Sequence, residues 1–237
     1  MTSDPRVRRI RILILLGVLA LAGVVIAVAL SGGGDDDGAG KRRQAAKQVS
    51  GLDGIPQSGL TLGNPAAPAE LEEFIDLQCP FCAQFSTQAL PTVVQDYVRD
   101  GRLKLTLRPL AFIGEDSLTG ARALLAAAEQ DKAFAFSSAF YASQGPENSG
   151  YVTEPYLRKV SGSVEGLKTI RVIAETKTNE SFAAALKRIT ARARALGVSG
   201  SPTFVLTREG QPPVTLKVDP GDYRSSISQA LGDALVR

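Results

Sequence analysis

The chain has 237 residues, 44% hydrophobic and 22% charged, the balance of a folded globular protein with room for one substantial domain plus extras. It holds no histidine, which excludes Ser-His-Asp and Cys-His nucleophiles and His-containing zinc sites, and its two cysteines are too few for a stabilising disulfide framework. The formal charge of +3 sits in the first 30 residues, and the neutral remainder has no basic domain to suggest a nucleic-acid partner.

Arg6, Arg8, Arg9 and Arg11 make residues 1–11 a basic N-terminus. The uncharged stretch Ile12–Leu30 follows, long enough as a helix of roughly 28 Å to cross the hydrocarbon core. It predicts a single-pass signal anchor with the N-terminus cytoplasmic and the rest extracytoplasmic. The alternative is a cleaved signal peptide, since Ala27-Val28-Ala29 has the small-x-small form. Residues 31–54 read as a flexible linker. Asp35-Asp36-Asp37 is solvated spacer, and Gly38-Ala39-Gly40-Lys41 lacks the upstream glycine and the following Ser or Thr of a phosphate loop.

The folded domain is expected over 55–237. A short strand is expected at Leu60–Leu62 and a buried one at Leu71–Leu77. Cys79 to about Asp100 reads as one helix, kinked at Pro91. Arg102–Leu110 alternates as a second strand. A helical block spans about 112–196: Ser117–Gln130, Lys132–Ser143, Glu154–Val160, Val164–Thr176, and Glu180–Leu196 capped by Asn179. Phe134, Phe136, Phe140 and Tyr141 read as helical core, with a ligand groove as the alternative. Thr203–Thr207 and Val214–Val218 form a hairpin, and Asp222–Val236 is a terminal amphipathic helix. The order is α/β: a βαβ half, a helical insertion and a ββα half, which is thioredoxin-like topology.

Cys79-Pro80-Phe81-Cys82 carries the chemistry. A Cys-x-x-Cys at a strand–helix junction suits thiol–disulfide exchange, in which the thiolate is the nucleophile. Unpaired N–H groups and the helix dipole at Cys79 stabilise that anion, making it the attacking and more exposed thiol. Cys82, one turn on, resolves the mixed disulfide. Pro80 fits the first helical turn, where its missing N–H costs nothing. Phe81 adds no charge, which argues for a less depressed Cys79 pKa than a histidine there would give. The alternative, half of a zinc site, lacks a third cysteine or any histidine, so no metal is expected.

EFIDLQCPFCAQF, followed far downstream by GVSGSPTFVL, resembles the DsbA-like thiol–disulfide oxidoreductases of the thioredoxin superfamily, especially the membrane-anchored Gram-positive forms. LGNPAAP before the first strand resembles their entry segment, and the likeness covers about Leu62–Leu235. Gln78 stands where many thioredoxins carry Trp. The resemblance implies that Pro202 is cis and packs beside the dithiol, with the Ser201 backbone binding an extended substrate strand. It also implies a buried acid at the position of Glu73, a proton relay for Cys82. The alternatives are that Glu73 reaches solvent at the strand end or that register puts Glu72 inward instead, and Asp76 is a competing candidate. No cofactor is implied beyond the redox-active Cys79–Cys82 disulfide. The implied partners are reduced or misoxidised secreted proteins, and a membrane quinone-linked reoxidase of the DsbB or vitamin K epoxide reductase type. The expected activity is an extracytoplasmic oxidase. The alternatives are a reductase or isomerase of the same fold, or a membrane-tethered binding or chaperone module.

Overall fold

The computed structural model describes residues 51–235. The expected span Ile12–Leu30 and the linker up to residue 50 lie outside them, and among the described residues no helix is long and apolar enough to cross a membrane. The last four residues of the expected linker already fold onto the domain: Arg99 donates to the carbonyls of Gly51 at 2.7 Å and Asp53 at 3.3 Å.

Six strands form one sheet in the order β1-β2-β4-β3-β5-β6. They are β1 (Gln57–Ser58), β2 (Thr61–Leu62), β3 (Ala69–Ile75), β4 (Leu103–Pro109), β5 (Thr203–Arg208) and β6 (Val214–Thr215). β3 is central, parallel to β4 and antiparallel to β5. It stops two residues short of the expected Leu77 because Asp76 turns the chain, taking the Cys79 N–H on its backbone carbonyl at 3.0 Å. α1 (Pro80–Gln88) then leads to α2 (Leu90–Val93) and a π-helical turn, Val94–Val98. The expected single helix therefore breaks at Ala89. Pro91 offers no N–H to the carbonyl four residues back and crowds it, so the break falls just upstream of the proline.

Five helices fill the connection between β4 and β5: α3 (Glu115–Ala128), α4 (Ala133–Ala142), α5 (Glu154–Gly162), α6 (Thr169–Thr178) and α7 (Ser181–Ala195). α6 begins five residues later than expected, because Gly166 adopts φ +74°, which ends any helix through Val164–Lys168. Asn179 does serve the start of α7, its Oδ1 accepting the Ser181 N–H at 3.1 Å. Phe134, Phe136 and Phe140 are fully buried, so α4 is helical core and not the wall of a groove. The hairpin's second strand shrinks to β6, although Leu216 N–H still reaches the Phe204 carbonyl at 2.9 Å. α8 (Tyr223–Leu235) closes the chain, burying Tyr223, Ile227 and Leu231 on one face. The helical insertion between βαβ and ββα halves is thus present, at 115–195.

Side chains alternate across β3, so Glu72 and Glu73 point to opposite faces. Glu72 is 2% exposed and lies between two arginines. Arg108 Nε donates to it at 2.6 Å, and Arg192 of α7 at 2.8 Å. Burial raises its pKa, but the Arg192 hydrogen bond and the Arg108 charge outweigh that and hold it below the usual carboxylate value. This ion cluster pins the insertion to the central strand. Arg192→Met is expected to cost about 1–2 kcal/mol, limited because the arginine side chain is 41% exposed. The depressed Glu72 pKa means that this contribution is present above the unfolded value near 4.5 and fades as pH falls below it. Urea denaturation of both proteins at pH 7 and pH 3 checks this; an equal gap at the two pH values would refute the ionic origin.

Candidate active site

Cys79 is the N-cap of α1, with φ −68° and ψ 120°, and Pro80 opens the helix. The Ala83 N–H returns to the Cys79 carbonyl at 3.2 Å, so the first turn is formed around Cys79. Cys79 is 5% exposed and Cys82 is fully buried, which keeps the expected ranking of the two thiols. The Ser201–Pro202 peptide bond is cis, and Cys79 Sγ donates to the Ser201 carbonyl at 3.3 Å. Residues 122 apart in the chain therefore meet at the sulfur.

The electrostatics of the two thiols differ in sign. A hydrogen bond from Cys82 is the largest influence on Cys79; burial opposes it, and the N–H groups of Cys82 and Phe81 and the Ser201 side chain assist it. Together they bring the Cys79 pKa down to about 6. The uncharged Phe81 thus leaves a strongly depressed thiol, because the donors are main-chain and thiol groups rather than a histidine. Burial pushes Cys82 well above the ordinary thiol value, and the charges of Cys79 and Glu73 add to it.

Glu73 is the inward acid on the α1 side. Its cross-strand partner Phe204 stacks on Phe85 of α1 at 4.4 Å, fixing that face of the sheet beneath the dithiol. It is 3% exposed, and burial raises its pKa to about 8, with no hydrogen bond or opposite charge among the described residues to counter it. Among the described residues, no cluster of three or more His, Cys, Asp or Glu could hold a metal. Asp76 has a different role from the relay considered for it. Its carboxylate accepts four hydrogen bonds: Gln78 N–H at 2.9 Å, Ser117 Oγ–H at 2.7 Å, Phe112 N–H at 2.8 Å and Ile113 N–H at 3.2 Å. It is the anchor of the loop that carries Cys79.

Beside the dithiol runs an open groove of about 230 Å³, lined by Phe81, Ser201, Pro202, Thr203, Leu216 and Tyr223 among others. Phe81 is half exposed on its rim. Sequence reasoning missed three residues here. Tyr141 and Tyr223 bury hydroxyls without a partner among the described residues. Burial first, then the nearby Cys82, Cys79 and Glu73 charges, raises both of their pKa values. In the sequence they are only members of apolar stripes. Gln78, fully buried, donates from Nε2 to Ser117 Oγ at 2.8 Å, and its Oε1 accepts the Asn148 N–H at 2.5 Å. A polar residue in place of the usual Trp was the available signal.

The arrangement is a thiol of lowered pKa at a helix N-terminus, a buried partner thiol one turn on and a buried carboxyl of raised pKa on the central strand, with an open groove alongside. Residues 57–211 match the family model described as thioredoxin. The probable disulfide bond formation protein D of Bacillus anthracis is 26% identical over 145 residues, covering 60% of this chain and 67% of that protein. Among solved structures, oxidised BdbD from Bacillus subtilis aligns with TM-score 0.65 and 21% identity, over 77% of this chain and 98% of that one. DsbA2 from Pseudomonas aeruginosa aligns with TM-score 0.56 and 25% identity, over 76% and 98%. With the family model covering most of the domain and the dithiol in place, the chain belongs to the thioredoxin family, as a DsbA-like thiol–disulfide oxidoreductase.

Proposed function

We propose that the protein is an extracytoplasmic thiol oxidase, held at the cell membrane by the Ile12–Leu30 segment, that donates the Cys79–Cys82 disulfide to secreted proteins. The observation that carries this reading is the opposed tuning of the two thiols, Cys79 down to about 6 and Cys82 up. A stabilised thiolate favours the reduced enzyme and so makes its disulfide the stronger oxidant. At pH 7 this contributes on the order of 1 kcal/mol, or about 30 mV. The disulfide-formation name of the Bacillus relative supports the same direction.

The oxidised enzyme is attacked at Cys79 Sγ by a client thiolate. The Cys79–Cys82 bond breaks, and Cys82 leaves as a thiolate that takes the Glu73 proton, a downhill transfer given the two pKa directions. The client's second thiolate then attacks the client sulfur of the mixed disulfide, and Cys79 departs as a good, low-pKa leaving group. Two client thiols become a disulfide and the enzyme ends reduced. Ser201 and Pro202 line the groove that receives the client as an extended segment. A membrane quinone-linked partner of the DsbB or vitamin K epoxide reductase type returns the dithiol to the disulfide.

Equilibration with a glutathione series, reading the fraction of Cys79–Cys82 disulfide, tests the direction. The expected potential lies well above the roughly −270 mV of thioredoxin. A value at or below that would make the protein a reductase.

A further inference from the structure

The loop that carries Cys79 is tied to the helical insertion by one side chain. Gln78 is buried, and both ends of its amide are used: Nε2–H to Ser117 Oγ at the start of α3, and Oε1 from the Asn148 N–H in the loop after α4. Ser117 Oγ accepts from Gln78 and donates its own O–H to Asp76 Oδ1. Asp76 Oδ1 also takes the Gln78 backbone N–H, and the Asp76 carbonyl takes the Cys79 N–H. Each donor thus has one acceptor in a directed chain running from Asn148 to Asp76, and such chains strengthen cooperatively in a buried setting. The two insertion segments are themselves in close contact: a Cβ at Gly114, just before α3, would collide with the Asn148 side chain.

We propose that Gln78 is a positioning residue for Cys79, through which the helical insertion holds the nucleophilic sulfur against the first N–H groups of α1. This rests on the reading of Cys79 as the attacking thiol. A βαβ–ββα core without the insertion has no such tie, so here the insertion takes part in setting thiol reactivity as well as covering the core. Gln78→Met keeps the length and removes both side-chain bonds. The sulfur then loses its fixed distance to its donors, and its acidity falls.

The test is the pH dependence of iodoacetamide alkylation of Cys79 in the reduced full chain, resolved from Cys82 by peptide mapping. The wild type is expected to titrate near pH 6. Gln78→Met is expected to move that midpoint up by about half a pH unit or more, slowing alkylation at pH 6 roughly two- to threefold. Ser117→Ala, which cuts the chain at its middle, should shift it in the same direction by less, and the double variant should go no further than Gln78→Met alone. A purely structural role would lower the melting temperature and leave the midpoint in place; unchanged midpoints in both variants overturn the proposal. If Gln78→Met does not fold, Ser117→Ala decides alone. If wild-type Cys79 shows no acidic midpoint, the nucleophile reading fails first and this one falls with it.

Discussion

Glu73→Gln is expected to make the protein more stable by about 3 kcal/mol at pH 7 and to slow its chemistry at the same time. The carboxyl is buried with no hydrogen bond or opposite charge among the described residues to compensate it, and burial raises its pKa from 4.5 to about 8. Above pH 4.5 the unfolded chain has lost this proton while the folded chain still binds it. Stability therefore falls as pH rises from 4.5 to about 8, where the folded group also ionises, by about 1.4 kcal/mol per pH unit. The glutamine amide is neutral in both states and removes that slope, less the modest cost of burying it. Chemical denaturation at pH 5, 7 and 8 should show the gap between the proteins widening with pH. A gap that is constant or reversed would mean that Glu73 is ionised in the folded protein. The same change removes the proton offered to Cys82, so mixed-disulfide formation with a reduced peptide should slow on the order of 100-fold, the low end for a positioned acid.

Asp76→Asn, three residues along, is expected to act in the opposite sense, costing about 3 kcal/mol and disordering the Cys79 loop. All four hydrogen bonds at this carboxylate come from donors, three of them backbone N–H groups. An asparagine presents an NH₂ to one side whichever way it flips. Either the buried Gln78 N–H or the part-buried Phe112 and Ile113 N–H pair then faces another donor. The Cys79 N–H bond to the Asp76 carbonyl sits in the same turn, so redox activity should drop with stability. Thermal melts and single-turnover oxidation of a dithiol peptide measure both. A variant as stable as the wild type would remove Asp76 from its place as anchor. Two acids at the end of one strand are thus expected to give mutational effects of opposite sign, decided by whether the folded site supplies hydrogen-bond donors.

The sequence made the sheet, the insertion and the dithiol legible because each has a local signature: apolar runs, helical stripes and a Cys-x-x-Cys at a junction. Glu73 was legible as a candidate only through its spacing from Cys79. That it, and not Glu72, faces the thiols depends on strand register, and Glu72 turned out equally buried but matched by Arg108 and Arg192 from distant elements. The partners of Asp76 are mostly main-chain N–H groups from the loop after β4, which no residue pattern encodes. Gln78 was hidden for the same reason, since its role lies in Ser117 and Asn148. The later start of α6 and the break at Ala89 were boundary effects of a single Gly and a single Pro. The opposed tuning of Cys79 and Cys82 required geometry, because its largest cause is the contact between the two thiols.

The 122-residue separation between Cys79 and the carbonyl that faces it also bears on biogenesis. β3 is central, and β5, which completes its far edge and brings Ser201 to the sulfur, follows the whole insertion. At 5–20 residues per second, a nascent chain carries its dithiol for on the order of ten seconds before that half of the site exists. During that interval both sulfurs stand without the strand and the carbonyl that flank Cys79 in the finished fold.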